Sequence, residues 1–178
     1  QISRESDRLK SDFGVDLRVR AIADSKKMLI DDYGIDLLSW KDLFEKNAVP
    51  MDLKKYTEHV AADYFPHTVL IDCSTSSALP KHYVEWIQQG IHIITPNKKA
   101  GTEKLPYYHT LMDQGRQKGM HFLYETTVGA GLPIINTLKD LIQTGDRIQK
   151  IEGVLSGTLA YLFWRFDGTV PFSTLVRE

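Results

Sequence analysis

A glycine-containing stretch over residues 124–133 holds the densest group of residues that could do chemistry in this chain. It reads Tyr-Glu-Thr-Thr-Val-Gly-Ala-Gly-Leu-Pro, so Glu125 and two hydroxyls come directly before Gly129 and Gly131. Glycine adopts positive φ without steric cost, and Pro133 suits the first turn of a following helix. Such a junction offers backbone groups and a carboxylate to an ion or a ligand edge, although an isolated Gly-x-Gly is more commonly a structural turn. We call this stretch the Gly129 turn.

A second polar group ends the apolar segment 67–74. It is the hydroxyl-rich sequence Asp-Cys-Ser-Thr-Ser-Ser at residues 72–77, which we call the Asp72 loop. Ligands of open α/β sheets bind at the carboxyl ends of the strands, so these hydroxyls could line a ligand site. Ser76 or Ser77 could equally cap the helix that follows, which is a common role for serine.

A third polar group, Thr-Pro-Asn-Lys-Lys at residues 95–99, follows the short apolar segment 91–95. We call it the Lys98 turn, because Pro-Asn is typical of turns and two lysines come next. At the ligand edge of a sheet, Lys98 and Lys99 could hold a phosphate or polarise a carbonyl group. A lysine pair is more commonly a solvated surface feature, and that alternative stays open.

The alternating segment 16–23 ends in Asp24-Ser25-Lys26-Lys27. In a nucleotide-binding unit, an acidic residue at the end of the second strand can hold a ribose hydroxyl, and basic residues there can hold a 2′-phosphate. Without a first strand in view, a solvated turn is slightly favoured for these residues. Lys26 and Lys27 favour a cofactor that carries a 2′-phosphate.

Composition excludes several classes of protein. The chain has 178 residues, of which 42% are hydrophobic and 25% charged, and its net charge is −1; these values are typical of a globular domain. No basic run supports nucleic-acid binding, and no apolar segment approaches the roughly 20 residues of a membrane span. The single cysteine, Cys73, fits a reducing compartment, and the histidines lack the spacing of a zinc site.

Apolar spacing predicts an alternation of strands and helices, which indicates a parallel sheet covered by helices. Because the segment 67–74 is apolar on both faces, we expect it to be a central strand. Strands are predicted over residues 16–23, 67–74, 91–95, 121–125 and 147–155. Helices are predicted over residues 1–14, 36–47, 51–62, 78–89, 105–119 and 132–144, and a last helix follows residues 156–158.

Four motifs, in this order along the chain, closely resemble those of homoserine dehydrogenase. They are the Asp72 loop, the Lys98 turn, the Gly129 turn and the segment Ile-Glu-Gly-Val-Leu-Ser-Gly-Thr-Leu at 151–159. The later segment 166–172, Phe-Asp-Gly-Thr-Val-Pro-Phe, is most similar to the form fused behind an aspartokinase in bifunctional bacterial enzymes. The resemblance runs from about Leu17 to the end of the chain.

The resemblance implies an α/β fold: an incomplete Rossmann-type parallel sheet with helices on both faces, plus the start of an α+β catalytic and dimerisation domain. Residues 1–130 would form a partial NAD(P)-binding domain that lacks its first strand and glycine-rich turn. Residues 131–178 would begin the catalytic domain. The lysine taken as general acid/base in the family would lie beyond Glu178, so no catalytic residue is assigned within the chain.

The resemblance also implies an activity, namely reversible hydride transfer between L-homoserine and L-aspartate 4-semialdehyde with NADP(H) or NAD(H), in threonine and methionine biosynthesis. Lys98 would contact the nicotinamide cofactor, and Ser74 and Thr75 would line its site, with Lys26 as a further candidate. Gly157 and Thr158 would lie at the substrate pocket. A structural sodium ion would be held by main-chain oxygens, those of Glu125, Val128, Ala130 and Leu132.

The family pattern further implies a cytoplasmic protein that forms dimers or tetramers at full length, acts on a small molecule, and binds neither nucleic acid nor membrane. We expect the chain alone to bind cofactor weakly, to lack turnover and to self-associate through exposed sheet edges. Two alternatives remain open. One is a non-catalytic nucleotide-binding or dimerisation module of the same fold, and the other is a different Rossmann oxidoreductase acting on small semialdehydes.

Overall fold

The computed structural model describes residues 1–61 and 67–178. The chain divides into two compact units. The first comprises Gln1–Thr68 and Gln89–Ile91, and the second comprises Val69–Gln88 and His92–Glu178. The domain boundary expected at residues 130 and 131 stays a prediction.

The first unit combines short helices with a small antiparallel sheet. Its helix α1 ends where the sequence predicts, because Gly14 adopts a left-handed conformation with φ of 67°, which glycine permits at no steric cost. The sheet has the order β1-β2-β3. The elements are α1 (Ile2–Phe13), β1 (Ala21–Ala23), β2 (Lys27–Ile30), α2 (Trp40–Asn47), β3 (Val49–Pro50) and α3 (Leu53–Val60).

The strand predicted over residues 16–23 is wrong in its length and its partner. Only Ala21–Ala23 forms a strand, and it pairs antiparallel with β2 rather than joining a parallel sheet. The cause is local, because the Asp24 carboxylate accepts hydrogen bonds from the backbone N–H groups of Lys26 and Lys27, each at 2.7 Å. These bonds close a tight turn that reverses the chain.

Two helices of the first unit match the prediction in type and differ in their ends. α2 begins at Trp40 rather than at residue 36. α3 begins after Asp52, whose side chain caps it by accepting a hydrogen bond from the N–H of Lys55 at 3.0 Å. The predicted end of this helix at Ala62, and the proline at position 66 that was expected to follow it, lie outside the described residues.

The second unit contains a three-stranded parallel sheet flanked by helices, which confirms the α/β fold class. The strand order is β4-β5-β6. The helix predicted over residues 78–89 forms as a 3₁₀ helix (Leu79–His82) followed directly by α4. The elements are β4 (Thr68–Ile71), α4 (Tyr83–Gln88), β5 (Ile91–Ile94), α5 (Lys99–Thr102), α6 (Leu105–Lys118), β6 (Phe122–Leu123), α7 (Ile135–Gln143), α8 (Gly157–Arg165) and α9 (Phe172–Arg177).

The core of the second unit lies between the sheet and two helices. α4 packs against α6, and the side chain of Ile93 on β5 is fully buried. The apolar face of α4 explains this arrangement, because Tyr83, Trp86 and Ile87 lie on one side of the helix and are at most 2% exposed. The α4 helix is therefore fixed against the sheet by large side chains.

The expectation that residues 67–74 form a central strand is wrong. In the described sheet β5 is central and β4 is an edge strand. Its residues alternate in exposure, and Val69 and Ile71 are 45% and 52% exposed. An apolar sequence indicates that both faces of a strand can be buried, but it does not determine whether the strand is central or at the edge of the sheet.

The strand predicted over residues 147–155 is also wrong, since the structure has no regular element there. Its apolar residues are exposed instead, from Ile148 at 37% to Val154 at 74%. A strand needs a partner for its backbone groups, and the described residues supply none to this segment. Gly157–Arg165 then forms the last predicted helix, α8.

Among residues 1–61 and 67–178, none of the helices has both the length and the apolar character needed to cross a membrane.

Candidate functional site

Asp72 is the centre of a buried polar network at the carboxyl ends of β4 and β5. It is 3% exposed. Its carboxylate accepts hydrogen bonds from the backbone N–H of Ser74 at 2.8 Å, the hydroxyl of Tyr83 at 2.5 Å and the amide of Asn97 at 3.1 Å. Buried carboxylates persist only when paired in this way. The aspartate therefore joins the Asp72 loop, α4 and the Lys98 turn.

The Lys98 turn is held by the same network from its own side. The Thr95 hydroxyl donates to the backbone oxygen of Asp72 at 2.8 Å and accepts from the N–H of Asn97 at 2.8 Å. The Asn97 side chain also donates to the backbone oxygen of Ser76 and accepts from the N–H of Lys99. These hydrogen bonds therefore hold the backbone of the Asp72 loop and of the Lys98 turn, rather than that of a helix or strand.

Electrostatics favour an ionised Asp72. Burial by itself raises the pKa of its carboxyl, but hydrogen bonds from Ser74, Tyr83 and Asn97 outweigh burial and hold the pKa below its usual value. Burial and the neighbouring carboxylate raise the pKa of the Tyr83 hydroxyl, so this hydroxyl stays protonated and donates. The pair is therefore a neutral donor on a charged acceptor, which is a strong hydrogen bond.

The predicted cofactor residues Ser74 and Thr75 lie exposed in the Asp72 loop. The Ser74 hydroxyl accepts a hydrogen bond from the N–H of Ser76 at 3.2 Å. The Ser76 hydroxyl in turn accepts from the N–H groups of Ala78 and Leu79. Ser76 therefore fixes the turn that leads into the 3₁₀ helix, but the N-cap position is Ala78 and it has no side-chain cap. Ser74 and Thr75 remain accessible.

The Gly129 turn reverses the chain through two consecutive left-handed residues. Gly129 has φ of 72° and Ala130 has φ of 52°. A non-glycine residue in this region is uncommon and marks a local constraint. The second glycine, Gly131, has an ordinary conformation. Pro133 lies outside α7, which begins at Ile135 and not at residue 132.

Glu125 links this turn to α7. Its carboxylate oxygens accept hydrogen bonds from the N–H groups of Ile135 at 2.9 Å and Asn136 at 2.8 Å. The first N–H groups of a helix have no intrahelical acceptor, and a carboxylate there also complements the helix dipole. The side chain of Glu125 is thus a helix cap, which leaves its backbone oxygen for other partners.

A cavity of about 280 Å³ in the second unit brings several predicted site residues together. Its wall combines three parts of the chain: the Lys98 turn, the Gly129 turn and the segment that enters α8. The residues that line it are Lys98, Thr126, Gly129, Ala130, Leu132, Val154, Leu155, Ser156, Gly157 and Thr158.

Several predicted site residues lie outside this wall. Ser74 and Thr75 are joined to the Lys98 turn through Asp72 and Asn97 and do not line the cavity. Lys26 belongs to the first unit, where it lies exposed in the turn between β1 and β2.

The sequence prediction missed Tyr83 and Asn97 as parts of the site. Tyr83 lies on the apolar face of a helix, where a tyrosine is normally a core residue. The signal that was available is Asp72, a carboxylate at the end of a buried strand, because such a group requires several nearby donors. Asn97 lies within the Lys98 turn, and the Pro-Asn pair by itself indicates only a turn.

Some backbone oxygens of the Gly129 turn are available to a cation. The backbone oxygens of Val128 and Ala130 accept no hydrogen bond from the described residues, and such carbonyl oxygens are ligands for hard cations. Those of Glu125 and Leu132 each accept one, from Val128 and Ile134, and a carbonyl oxygen has a second lone pair.

The cavity volume lies just below the roughly 300–1,000 Å³ of typical ligand sites, so it has room for a small ligand rather than a whole dinucleotide.

Family models match both parts of the chain. Residues 1–125 match the model described as homoserine dehydrogenase, NAD binding domain. Residues 133–178 match the model described as homoserine dehydrogenase.

Curated relatives are bifunctional aspartokinase/homoserine dehydrogenases. The enzyme 2 of Arabidopsis thaliana, described as chloroplastic, is 49% identical over 96% of this chain and 19% of its own length. The enzyme 2 of Escherichia coli is 36% identical over 99% of this chain and 22% of its own length. The chain thus spans about a fifth of the length of the curated relatives it matches.

Solved structures share the fold. A Candida auris protein described as of unknown function has 34% identity and a TM-score of 0.77, over 90% of this chain and 46% of that one. A hyperthermophilic archaeal homoserine dehydrogenase in complex with NADPH has 22% identity and a TM-score of 0.74, over 98% of this chain and 56% of that one. The resemblance seen in the four motifs is confirmed, and this chain belongs to the homoserine dehydrogenase family.

Proposed function

We propose that this chain forms part of the cofactor and substrate site of an NAD(P)-dependent homoserine dehydrogenase, an oxidoreductase that interconverts L-homoserine and L-aspartate 4-semialdehyde. The observation that carries the proposal is the cavity whose wall includes Lys98, Gly157 and Thr158. Family membership supports the reaction class, and the cavity supplies a place of suitable size for a small polar substrate.

The chemistry of the cavity wall suits a charged substrate. Oxidation of the alcohol removes a hydride from carbon and a proton from oxygen, and the nicotinamide cofactor supplies the hydride chemistry when bound. At the start of α8, Ser156 caps the helix by accepting from the N–H of Leu159. The N–H groups of Gly157 and Thr158 have no intrahelical acceptor, and such groups bind carboxylates. Lys98 also lines the cavity, and its ammonium group can attract a phosphate or polarise a carbonyl oxygen.

The test of this proposal is a kinetic comparison of lysine variants in the full-length protein, with homoserine and each nicotinamide cofactor. We expect the unaltered protein to oxidise homoserine. Lys98→Ala should lower kcat/KM for the cofactor about 30-fold, which is the loss expected for one charged hydrogen-bonding group. The matched control is Lys99→Ala, because Lys99 does not line the cavity and uses only its backbone N–H toward Asn97.

Equal kinetics for both variants would remove the assigned role of Lys98. Absence of homoserine oxidation by the unaltered protein would contradict the proposed reaction.

We further propose that the Gly129 turn holds a structural sodium ion through the main-chain oxygens of Glu125, Val128, Ala130 and Leu132. The left-handed conformation of Gly129 and Ala130 supports this, because it takes the backbone out of regular hydrogen bonding. The cap that Glu125 places on α7 would join the ion to that helix.

Sodium should raise the thermal midpoint of the full-length protein. An ion that binds only the folded state adds about 2.7 kcal/mol of stability at 100 times its Kd. The measurement is the Tm in sodium chloride against choline chloride at equal ionic strength, so that general screening is the same in both. An identical Tm in the two salts would contradict the sodium site.

The wider setting of the protein is also part of the proposal. Lys26 and Lys27 favour NADP over NAD, because basic residues at this position can hold a 2′-phosphate. The names of the relatives support a fused aspartokinase, and exposed apolar side chains such as Phe163 and Trp164 support a homo-oligomeric state. A role in threonine and methionine biosynthesis is the one that the family resemblance implies. One exposed thiol, Cys73, fits a reducing compartment such as the cytoplasm, and the plant relatives are described as chloroplastic.

A further inference from the structure

The Tyr83 side chain lies in the core of the second unit, but its hydroxyl forms hydrogen bonds with residues of the candidate site. The residue is 0% exposed, and its ring packs at centroid distances of 5.8 Å from Trp86 and 5.9 Å from Phe122. The hydroxyl donates to the Asp72 carboxylate and lies 3.3 Å from the hydroxyl of Thr95. A helix of the core thereby reaches the ends of two neighbouring strands.

Two loops depend on the carboxylate that Tyr83 orients. One carboxylate oxygen accepts from the N–H of Ser74, which fixes the start of the Asp72 loop. The other accepts from Tyr83 and from the side chain of Asn97, and Asn97 immediately precedes Lys98. The Asp72 loop carries Ser74 and Thr75. The residues proposed to hold the cofactor therefore lie in the two loops that the buried Asp72 carboxylate connects.

We propose that Tyr83 is a positioning residue for the cofactor site, and that its hydroxyl sets the relative placement of the Asp72 loop and the Lys98 turn through Asp72. The inference rests on the proposed function, because it assigns Tyr83 a role in cofactor binding. Tyr83 itself is 0% exposed in the core, so the proposed effect does not require it to touch cofactor or substrate. Its effect passes through a carboxylate whose other donors are loop groups.

Removal of the hydroxyl alone separates positioning from packing. Tyr83→Phe keeps the ring and its contacts with Trp86 and Phe122, and takes one of three donors from a buried charge. In the full-length protein we expect the Kd and KM for NADP(H) to rise about tenfold, which corresponds to the loss of one hydrogen bond to a charged group. The kcat at saturating cofactor should fall by much less than tenfold, because the substitution shifts the loops and leaves all of their residues in place.

The matched control is Tyr107→Phe. The Tyr107 hydroxyl also donates to a protein acceptor, the backbone oxygen of the buried Pro80, but it makes no bond to either loop. Its loss should lower stability in a similar way and leave the cofactor Kd within about twofold. An equal rise in Kd for both variants would show a general effect of destabilisation and would overturn the assignment.

A double-variant comparison tests the route through Asp72. If Tyr83 acts by orienting that carboxylate, the effects of Tyr83→Phe and Asp72→Asn on cofactor Kd should not multiply in the combined variant. Effects that multiply would mean that Tyr83 acts independently of Asp72, which contradicts the inference.

Direct titration with NADPH, followed by the fluorescence of the reduced nicotinamide, distinguishes this inference from the proposed function. If the unaltered full-length protein does not bind NADPH, both the proposed function and the positioning role fall. If it binds and Tyr83→Phe binds equally well, only the positioning role is wrong.

Discussion

Replacement of Asp72 by alanine should destabilise the second unit by about 3 kcal/mol and abolish cofactor binding at ordinary concentrations. The substitution removes an acceptor from three donors: the N–H of Ser74, the hydroxyl of Tyr83 and the amide of Asn97. The Tyr83 hydroxyl can still donate to Thr95, and the Asn97 amide keeps its bond to the backbone oxygen of Ser76. Each buried donor left unpaired costs about 1–3 kcal/mol. Water entering the new space recovers some of this, so the total lies below the sum of three such penalties.

Urea unfolding followed by tryptophan fluorescence measures this effect, because Trp86 packs beside Tyr83. At a slope of roughly 2 kcal/mol per molar urea, a loss of about 3 kcal/mol moves the midpoint down by about 1.5 M. The control is Asp113→Ala, an exposed aspartate that pairs with Arg116 at the protein surface at 3.2 Å. Such surface pairs contribute about 0–1 kcal/mol, so its midpoint should move little.

Equal shifts for Asp72→Ala and Asp113→Ala would show that the buried network adds nothing to stability. The expected difference follows from burial alone, because both residues are carboxylates with charged or polar partners. One is 3% exposed and the side chain of the other is 58% exposed.

The parts of the fold that the sequence predicted well depend on local signals. α1 and α6 end at Gly14 and Gly119, and both glycines have φ of 67°. The three strands of the parallel sheet were predicted because each is a short apolar segment between turn residues. These features are determined by a few adjacent residues, so they can be predicted from a short segment of sequence.

The errors arise where the cause lies elsewhere in the chain. Residues 147–155 are predicted as a strand from their own composition, but pairing requires a second strand, which the segment itself cannot supply. The position of β4 at the sheet edge likewise depends on its neighbours. The turn at Asp24 is a borderline case, since the residues 24–27 are compatible both with a ligand site and with a tight turn.

The residues of the candidate site were also predicted only in part. Lys98, Gly157 and Thr158 were identified through family motifs, and the structure brings them to one cavity wall. Tyr83 is separated from Asp72 by 11 residues and from Thr95 by 12, and its type is unremarkable on an apolar helix face. Only the folded arrangement shows that its hydroxyl belongs to the site.

The second large effect is expected for Gly129→Val, which should destabilise the protein by about 3 kcal/mol. Gly129 has φ of 72°, and a Cβ atom there would lie 2.2 Å from Cδ1 of Ile134. A β-branched residue in the left-handed region costs about 1–3 kcal/mol in backbone strain. The contact adds to this, although the end of the Ile134 side chain can move to relieve part of it.

The neighbouring glycine provides a control with the same chemical change. Gly131 has no positive φ, and a Cβ atom there meets nothing within 4 Å. Gly131→Val should therefore change the free energy of unfolding by less than about 0.5 kcal/mol. Thermal or urea unfolding of the two variants side by side measures the cost of the turn geometry, and equal stabilities would contradict the strain argument.

The same pair of variants connects turn geometry with the proposed ion. If the left-handed conformation of Gly129 and Ala130 directs main-chain oxygens toward sodium, Gly129→Val should lose the rise in Tm that sodium produces, and Gly131→Val should keep it. A variant that is destabilised but still gains the full sodium effect would separate the two roles. In that case the turn would serve only to connect β6 to α7, and the sodium ion would have to bind to other oxygens.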